Sequence, residues 1–166
     1  MSNNVVFEDF SVEVKGAIQQ KAISFLEEVG GELRSRTQRN SRRKTSQTAV
    51  SYEYKVDEGK LAVHIGSDYP NAIWEEFGTG SHALHGDGRK GWWVYVTGNS
   101  VKKASTDSKS YSSPEQAKMA VAILREKGLD AHMTQGKTAN RPMWKAFESF
   151  KSGIIRRAEE ILGGLN

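Results

Sequence analysis

The sequence predicts an α+β fold in which a small, mostly antiparallel sheet packs against two long helices, N- and C-terminal, with an inserted helix between the third and fourth strands. Three patterns predict it. Apolar residues recur every three or four positions near both ends of the chain, residues 49–66 alternate across a turn, and a proline-headed helix start falls between two later strand patterns. The 166 residues suit a single domain, 1–166, with a basic loop at 34–48 and an insertion at 101–129.

In chain order, the first helix runs from Phe10 to Arg36, with Val14, Ile18, Ala22, Phe25, Val29 and Leu33 on one face. Gly30 and Gly31 interrupt it, and each glycine costs about 1 kcal/mol relative to alanine, so a kink or an early end is expected there. The block Arg34, Arg36, Arg39, Arg42, Arg43 and Lys44 follows, with no acidic residue after Glu32 and nothing to bury, which predicts an exposed, mobile loop. It reads in two ways: as a solvated loop, or as an arm in which Arg36, Arg39, Arg42, Arg43 and Lys44 meet duplex DNA or an acidic protein surface. No aromatic residue interleaves the block, so contact with nucleic acid would be electrostatic and directed at the backbone.

Val50, Tyr52, Tyr54 and Val56 alternate with polar residues, Asp57 to Lys60 turn the chain, and Leu61, Val63 and Ile65 alternate again, which predicts a hairpin with one buried face. Pro70 presets a helical φ, and Ile73, Trp74 and Phe77 share a face, so a short helix runs from Pro70 to Phe77 and stops at Gly78. Trp92 to Thr97 is a third strand, aromatic and β-branched. Gly98 to Ser112 is polar and expected to be flexible. Ser113-Pro114-Glu115-Gln116 combines an N-cap serine, a proline at the first helical position and a glutamine placed for a capping box, opening a helix that Gly128 ends. Leu129, Ala131 and Met133 suggest the fourth strand. Pro142 then opens the last helix, where Met143, Ala146, Phe147, Phe150 and Ile154 keep helical spacing and Gly163-Gly164 offers a stop.

The composition narrows the function classes. Apolar residues make up 37% and mean hydropathy is -0.61, so the core should be thin for the length and some apolar surface is expected to be completed by a partner. Cysteine is absent, which excludes disulfides and thiolate metal sites. The first ten residues lack a basic region followed by an apolar run, and no stretch approaches the length of a membrane span, so a soluble protein made in the cytoplasm is expected, with no membrane partner. A net charge of +4 is modest for a dedicated nucleic-acid binder.

Three of the four tryptophans fall between Tyr69 and Trp93. Trp74 and Phe77 are expected in the core. Trp92 and Trp93, consecutive in a strand, point to opposite sides, so one of them should stand outside the buried face beside Arg89 and Lys90, a composition typical of interface hot spots.

Trp74-Glu75-Glu76-Phe77-Gly78-Thr79-Gly80, followed by Gly88-Arg89-Lys90-Gly91-Trp92 and by Arg141-Pro142-Met143, resembles the head-to-tail joining, tail-completion proteins of tailed bacteriophages, also called minor tail or neck morphogenesis proteins. The likeness runs from the first helix to the last, and Gly78-Thr79-Gly80 is its most specific part. Two places depart from it: Arg39 to Thr48 stands where family members carry a proline-aspartate-threonine-glycine turn, and Val101 to Leu129 looks like an insertion. The resemblance implies a virion structural protein, made in the host bacterial cytoplasm, that forms a hexameric ring at the neck beside a connector or stopper, a tail terminator and the tail tube. It implies no catalysis and no cofactor. In such a ring, Gly78, Thr79, Gly80, Arg89, Lys90, Trp92 and Trp93 are the expected subunit or partner contacts, and the basic arm faces the DNA channel or an acidic partner.

Other chemistry reads weakly. His82 and His85 with Asp87 lie in a glycine-rich loop without metal-ligand spacing, and Glu75 and Glu76 are adjacent, about 100° apart on a helix, so they cannot face each other as a hydrolytic carboxylate pair. Ala131 to Thr138 fits a permissive phosphate-loop pattern but has one glycine and no helix directly after Lys137. Gly86 to Gly91 leads into a strand, which excludes a dinucleotide fingerprint.

Overall fold

A computed structural model describes residues 11–42, 46–97 and 109–163. The architecture is α+β, with α1 (Ser11–Asn40), α2 (Gln47–Val50), β1 (Tyr52–Asp57), β2 (Ala62–Ser67), α3 (Pro70–Phe77), a single 3₁₀ turn (Gly80–His82), β3 (Trp93–Val96), α4 (Pro114–Glu126), β4 (Ala131–Thr134) and α5 (Pro142–Gly163). The four strands form two separate antiparallel ribbons, β1-β2 and β3-β4, where one sheet was expected. Tyr54 pairs with Ile65 in the first and Val94 with Met133 in the second. α1 packs on α5 and on the first ribbon, α4 packs on the second, and α3 touches α5.

The core is as thin as the composition suggests. Val29, Leu33 and Ala146 form its centre, with Phe25, Val63, Ile65 and Phe150 against them. α1 does not break at Gly30. Its backbone stays helical because the missing side chain is what lets Tyr54 of β1 lie flat on the helix; a Cβ there would overlap the Tyr54 ring. The helix also continues through Asn40, beyond the expected end at Arg36. Glu32 makes this possible: it accepts from Arg36 Nε at 2.6 Å and from Arg39 at 3.5 Å, so the basic residues do not repel the chain out of the helix.

Val50, expected on the inner side of a strand, belongs instead to α2 and is 70% exposed; Thr48 and Ala49 are the buried residues there. β1 therefore starts at Tyr52, whose side chain is fully buried. Ser113 caps α4 by accepting the Gln116 amide, while the Gln116 side chain turns to Ser112, so the capping box is half formed. Trp92 is joined to Tyr111 by paired backbone hydrogen bonds, which ties the end of the polar stretch 98–112 to the start of β3. Most of the polar stretch 98–112, the residues before Ser11 and Gly164 lie outside the described residues. Among the described residues no helix is long and apolar enough to cross a membrane.

Candidate functional site

α3 has its polarity reversed. Ala72, Glu75 and Glu76 are buried, the glutamates at 4% and 5% exposure, while Ile73, Trp74 and Phe77 are exposed, Ile73 at 59% and Trp74 at 53%. Trp74 and Phe77 are thus outside, contrary to expectation. A helix this short follows whichever face is anchored more strongly, and here the anchors are carboxylates.

Glu76 accepts the amides of Met143 and Trp144 at 2.9 and 3.1 Å, capping the first turn of α5. Those amides have no partner within their own helix, and a carboxylate is favoured at a helix N-terminus. Glu75 accepts the Arg42 amide at 2.6 Å and the Asn140 side chain at 2.9 Å, and its carbonyl receives the Asn140 and Arg141 amides. Asn140 in turn donates to the Asn40 carbonyl at 2.7 Å. One helical turn therefore holds the C-terminal end of α1 and the N-terminal end of α5 together. Both carboxylates tolerate burial because donors from other segments meet them, two on Oε1 of Glu75 and one on each oxygen of Glu76. The sequence excluded them as a hydrolytic pair and assigned them no other chemistry; their reach across 65 to 67 residues of chain to Asn140 and the start of the terminal helix leaves no local pattern.

Gly78, Thr79 and Gly80 extend this junction. The Thr79 amide donates to Lys137 O and the Lys137 amide to Thr79 Oγ1, both at 2.9 Å, and the Ser81 amide donates to Gln135 O at 2.8 Å. Gly80, at φ +60°, lies so close to Gln135 that a Cβ would overlap its carbonyl oxygen. The same three residues floor an open cleft of about 510 Å³ walled by Ile73, Trp74, Phe77, Arg89 and Trp93. Arg89 lies over the Trp93 ring at 5.1 Å and donates to Ser110, and Lys90 donates to Gly86 O. Trp92 and Trp93 are each half-buried, so neither is the outward tryptophan that strand alternation suggested; Trp74 and Trp144 are more exposed.

Of the basic arm, the described residues Arg36, Arg39 and Arg42 each contact the fold. Arg36 lies over the Phe150 ring at 4.6 Å besides pairing with Glu32, Arg39 donates to Ser35, and Arg42 donates through Nη2 to Thr138 O. Arg34, Arg36 and Arg39 sit on α1, not in a loop. Arg43 and Lys44 lie outside the described residues.

His85 tilts against Phe77 with ring centroids 5.3 Å apart, and among the described residues no three groups that bind metals converge. The phosphate-loop look-alike divides into β4 and the extended segment that meets Thr79, with α5 beginning only at Pro142. Its Lys137 amide is directed at this chain's own Thr79. Comparison with protein-family models, with curated proteins and with solved structures returned no match.

Proposed function

We propose that this chain is a structural subunit of a tailed-phage or phage-derived particle, a neck protein that joins or completes the tail at its head-proximal end as part of a hexameric ring and transforms no substrate. The observation that carries the reading is the reversed α3: buried carboxylates hold Ile73, Trp74 and Phe77 outward beside an open cleft, and a contiguous exposed aromatic group of this kind is a contact surface. The thin core supports it, because a chain that leaves Trp144 and Phe147 exposed as well has apolar area for neighbours to cover. The particle itself comes from the resemblance of the Trp74–Gly80 and Gly88–Trp92 segments. Its partners are then further copies of itself, a connector or stopper, a tail terminator and the tail tube, within the virion.

Duplex DNA is the weaker partner. Arg36 and Arg39 are tied to Glu32, which leaves the arm less charge to offer phosphates than the sequence suggested.

Light scattering on the purified chain, alone and mixed with the neighbouring neck and tail proteins, tests the reading. A closed oligomer in either setting is expected. An 18.4 kDa monomer in every mixture, or catalytic turnover traced to the protein, would overturn it.

A further inference from the structure

We infer that the groove between α4 and the outer edge of β4 binds an extended acidic segment of a partner protein, added as a strand beside Met133 with its carboxylates on Lys118 and Arg125. This goes beyond the ring reading, does not depend on it, and gives the inserted helix a role.

The register of the second ribbon decides which backbone groups look outward. The Thr97 amide donates to Asp130 O, so the ladder is closed by the pairs Thr97 with Asp130, Tyr95 with His132 and Trp93 with Thr134. Ala131, Met133 and Gln135 turn their backbone groups to the other side. Ala131 is engaged there: its amide donates to Leu129 O and its carbonyl accepts from Arg125 Nε, both at 3.0 Å. The Gln135 carbonyl accepts the Ser81 amide at 2.8 Å. Among the described residues nothing meets the amide or the carbonyl of Met133. One donor and one acceptor on a strand edge are the footing for a further strand. The next step along the same edge already carries an extended segment, since residues 79–81 bond to 135–137.

The Met133 groups border a groove of about 520 Å³ lined by Tyr95, Lys118, Val121, Arg125, His132 and Met133. No carboxylate lines it, and the neighbouring Asp130 is engaged by Thr97 Oγ1 and His132 Nε2. Arg125 is pre-set for an anion. Its Nε is pinned to the Ala131 carbonyl, which orients the guanidinium plane and leaves Nη1 and Nη2 without a hydrogen-bond partner among the described residues. Lys118 stands two turns earlier on the same face of α4, about 10 Å along the axis at 1.5 Å per residue. Alternate side chains of a strand are about 7 Å apart and share a face, a spacing that both cations can reach. The backbone pair at Met133 selects among anions: a peptide supplies an amide and a carbonyl to match it, whereas phosphates only accept and leave the Met133 carbonyl unmatched.

The test follows the Met133 amide by NMR in the full chain. The probe is a terminally blocked hexapeptide of alternating valine and glutamate, with the valine and lysine version as its control. The acidic peptide should slow exchange of the Met133 amide at least about ten-fold, and the lysine peptide should leave it unchanged. Lys118→Glu, at an exposed position, should keep the parent melting temperature and weaken binding at least about ten-fold. The double variant Lys118→Glu, Arg125→Glu should prefer the lysine peptide. Lys127→Glu, just past the groove, should bind like the parent. No binding at millimolar peptide, equal binding of both peptides, or binding that leaves Met133 exchange unchanged overturns the inference. So does inorganic phosphate or a single-stranded oligonucleotide that protects the Met133 amide as well as the acidic peptide does.

Discussion

The two faces of α3 lie a few ångströms apart and obey opposite rules. The inner face buries two carboxylates, each accepting two hydrogen bonds from distant parts of the chain, and carries no large apolar side chain. The outer face presents Ile73, Trp74 and Phe77 to solvent. Apolar burial, at roughly 25 cal/mol per Å², usually decides which way a helix faces. Here it is outweighed because turning α3 over would strand the orphan amides of α5 and the Arg42 amide without acceptors, each at a cost of about 1–3 kcal/mol. The difference teaches that the inner face holds the fold while the outer face is left for a neighbour.

The comparison can be broken most sharply at Gly80. Alanine there would meet the Gln135 carbonyl and hold a disfavoured positive φ, so Gly80→Ala should lose at least about 3 kcal/mol in urea unfolding. Near-parental stability would show that the junction is looser than described. Next come the carboxylates. Glu76→Ala and Glu75→Ala should each cost about 2–3 kcal/mol by stranding buried donors, and Glu76→Gln, which keeps an acceptor for only one of the two amides, should cost at least about half of that.

Tyr52 sharpens the inner side from another direction. Burial first, and the nearby Glu75 carboxylate second, push its hydroxyl up to about 12. A tyrosine raised in this way keeps its proton in the folded state after the unfolded chain has lost it. Its contribution is complete below its ordinary value of about 10 and is lost as pH rises through the folded value. Alkaline melts should therefore fall steeply from about pH 10 upward, and Tyr52→Phe should flatten that fall. At neutral pH the same substitution should change stability by about 1 kcal/mol or less, since the buried hydroxyl makes no hydrogen bond of good geometry. The smallest effect belongs to the outer face: Trp74→Ser should move subunit stability by no more than about 0.5 kcal/mol. If it costs as much as Glu75→Ala, the aromatic face is packed inside and the contrast between the two faces fails.

Much of the architecture could be read directly. The periodicity of Val29, Leu33 and Phe25, the hairpin at Asp57 to Lys60, the Ser113-Pro114 helix start and the Pro142 helix start are local signals, and the structure contains each of them. What misled were residues whose partners lie far off in sequence. Gly30 looked like a helix breaker because Tyr54, the ring that needs its bare backbone, is 24 positions later. Arg36 looked like part of a free arm because the Phe150 ring it covers is 114 positions later, although its other partner, Glu32, stands only four residues back and is a local signal. The outward site was half legible: the Tyr69 to Trp93 stretch was singled out, but its exposed residues are Ile73, Trp74 and Phe77, with Trp92 and Trp93 half-buried.

By itself, the sequence determined the order of the four strands and of the four longer helices, though not α2 or the 3₁₀ turn, together with the thinness of the core and the absence of cysteine chemistry, because helical and strand periodicity, capping and composition act over a few residues. Only the tertiary structure decided which way α3 faces. A short helix with three large apolar residues on one side and two glutamates near the other is ambiguous until the donors that the glutamates can reach are known, and those donors belong to residues 42 and 140–144.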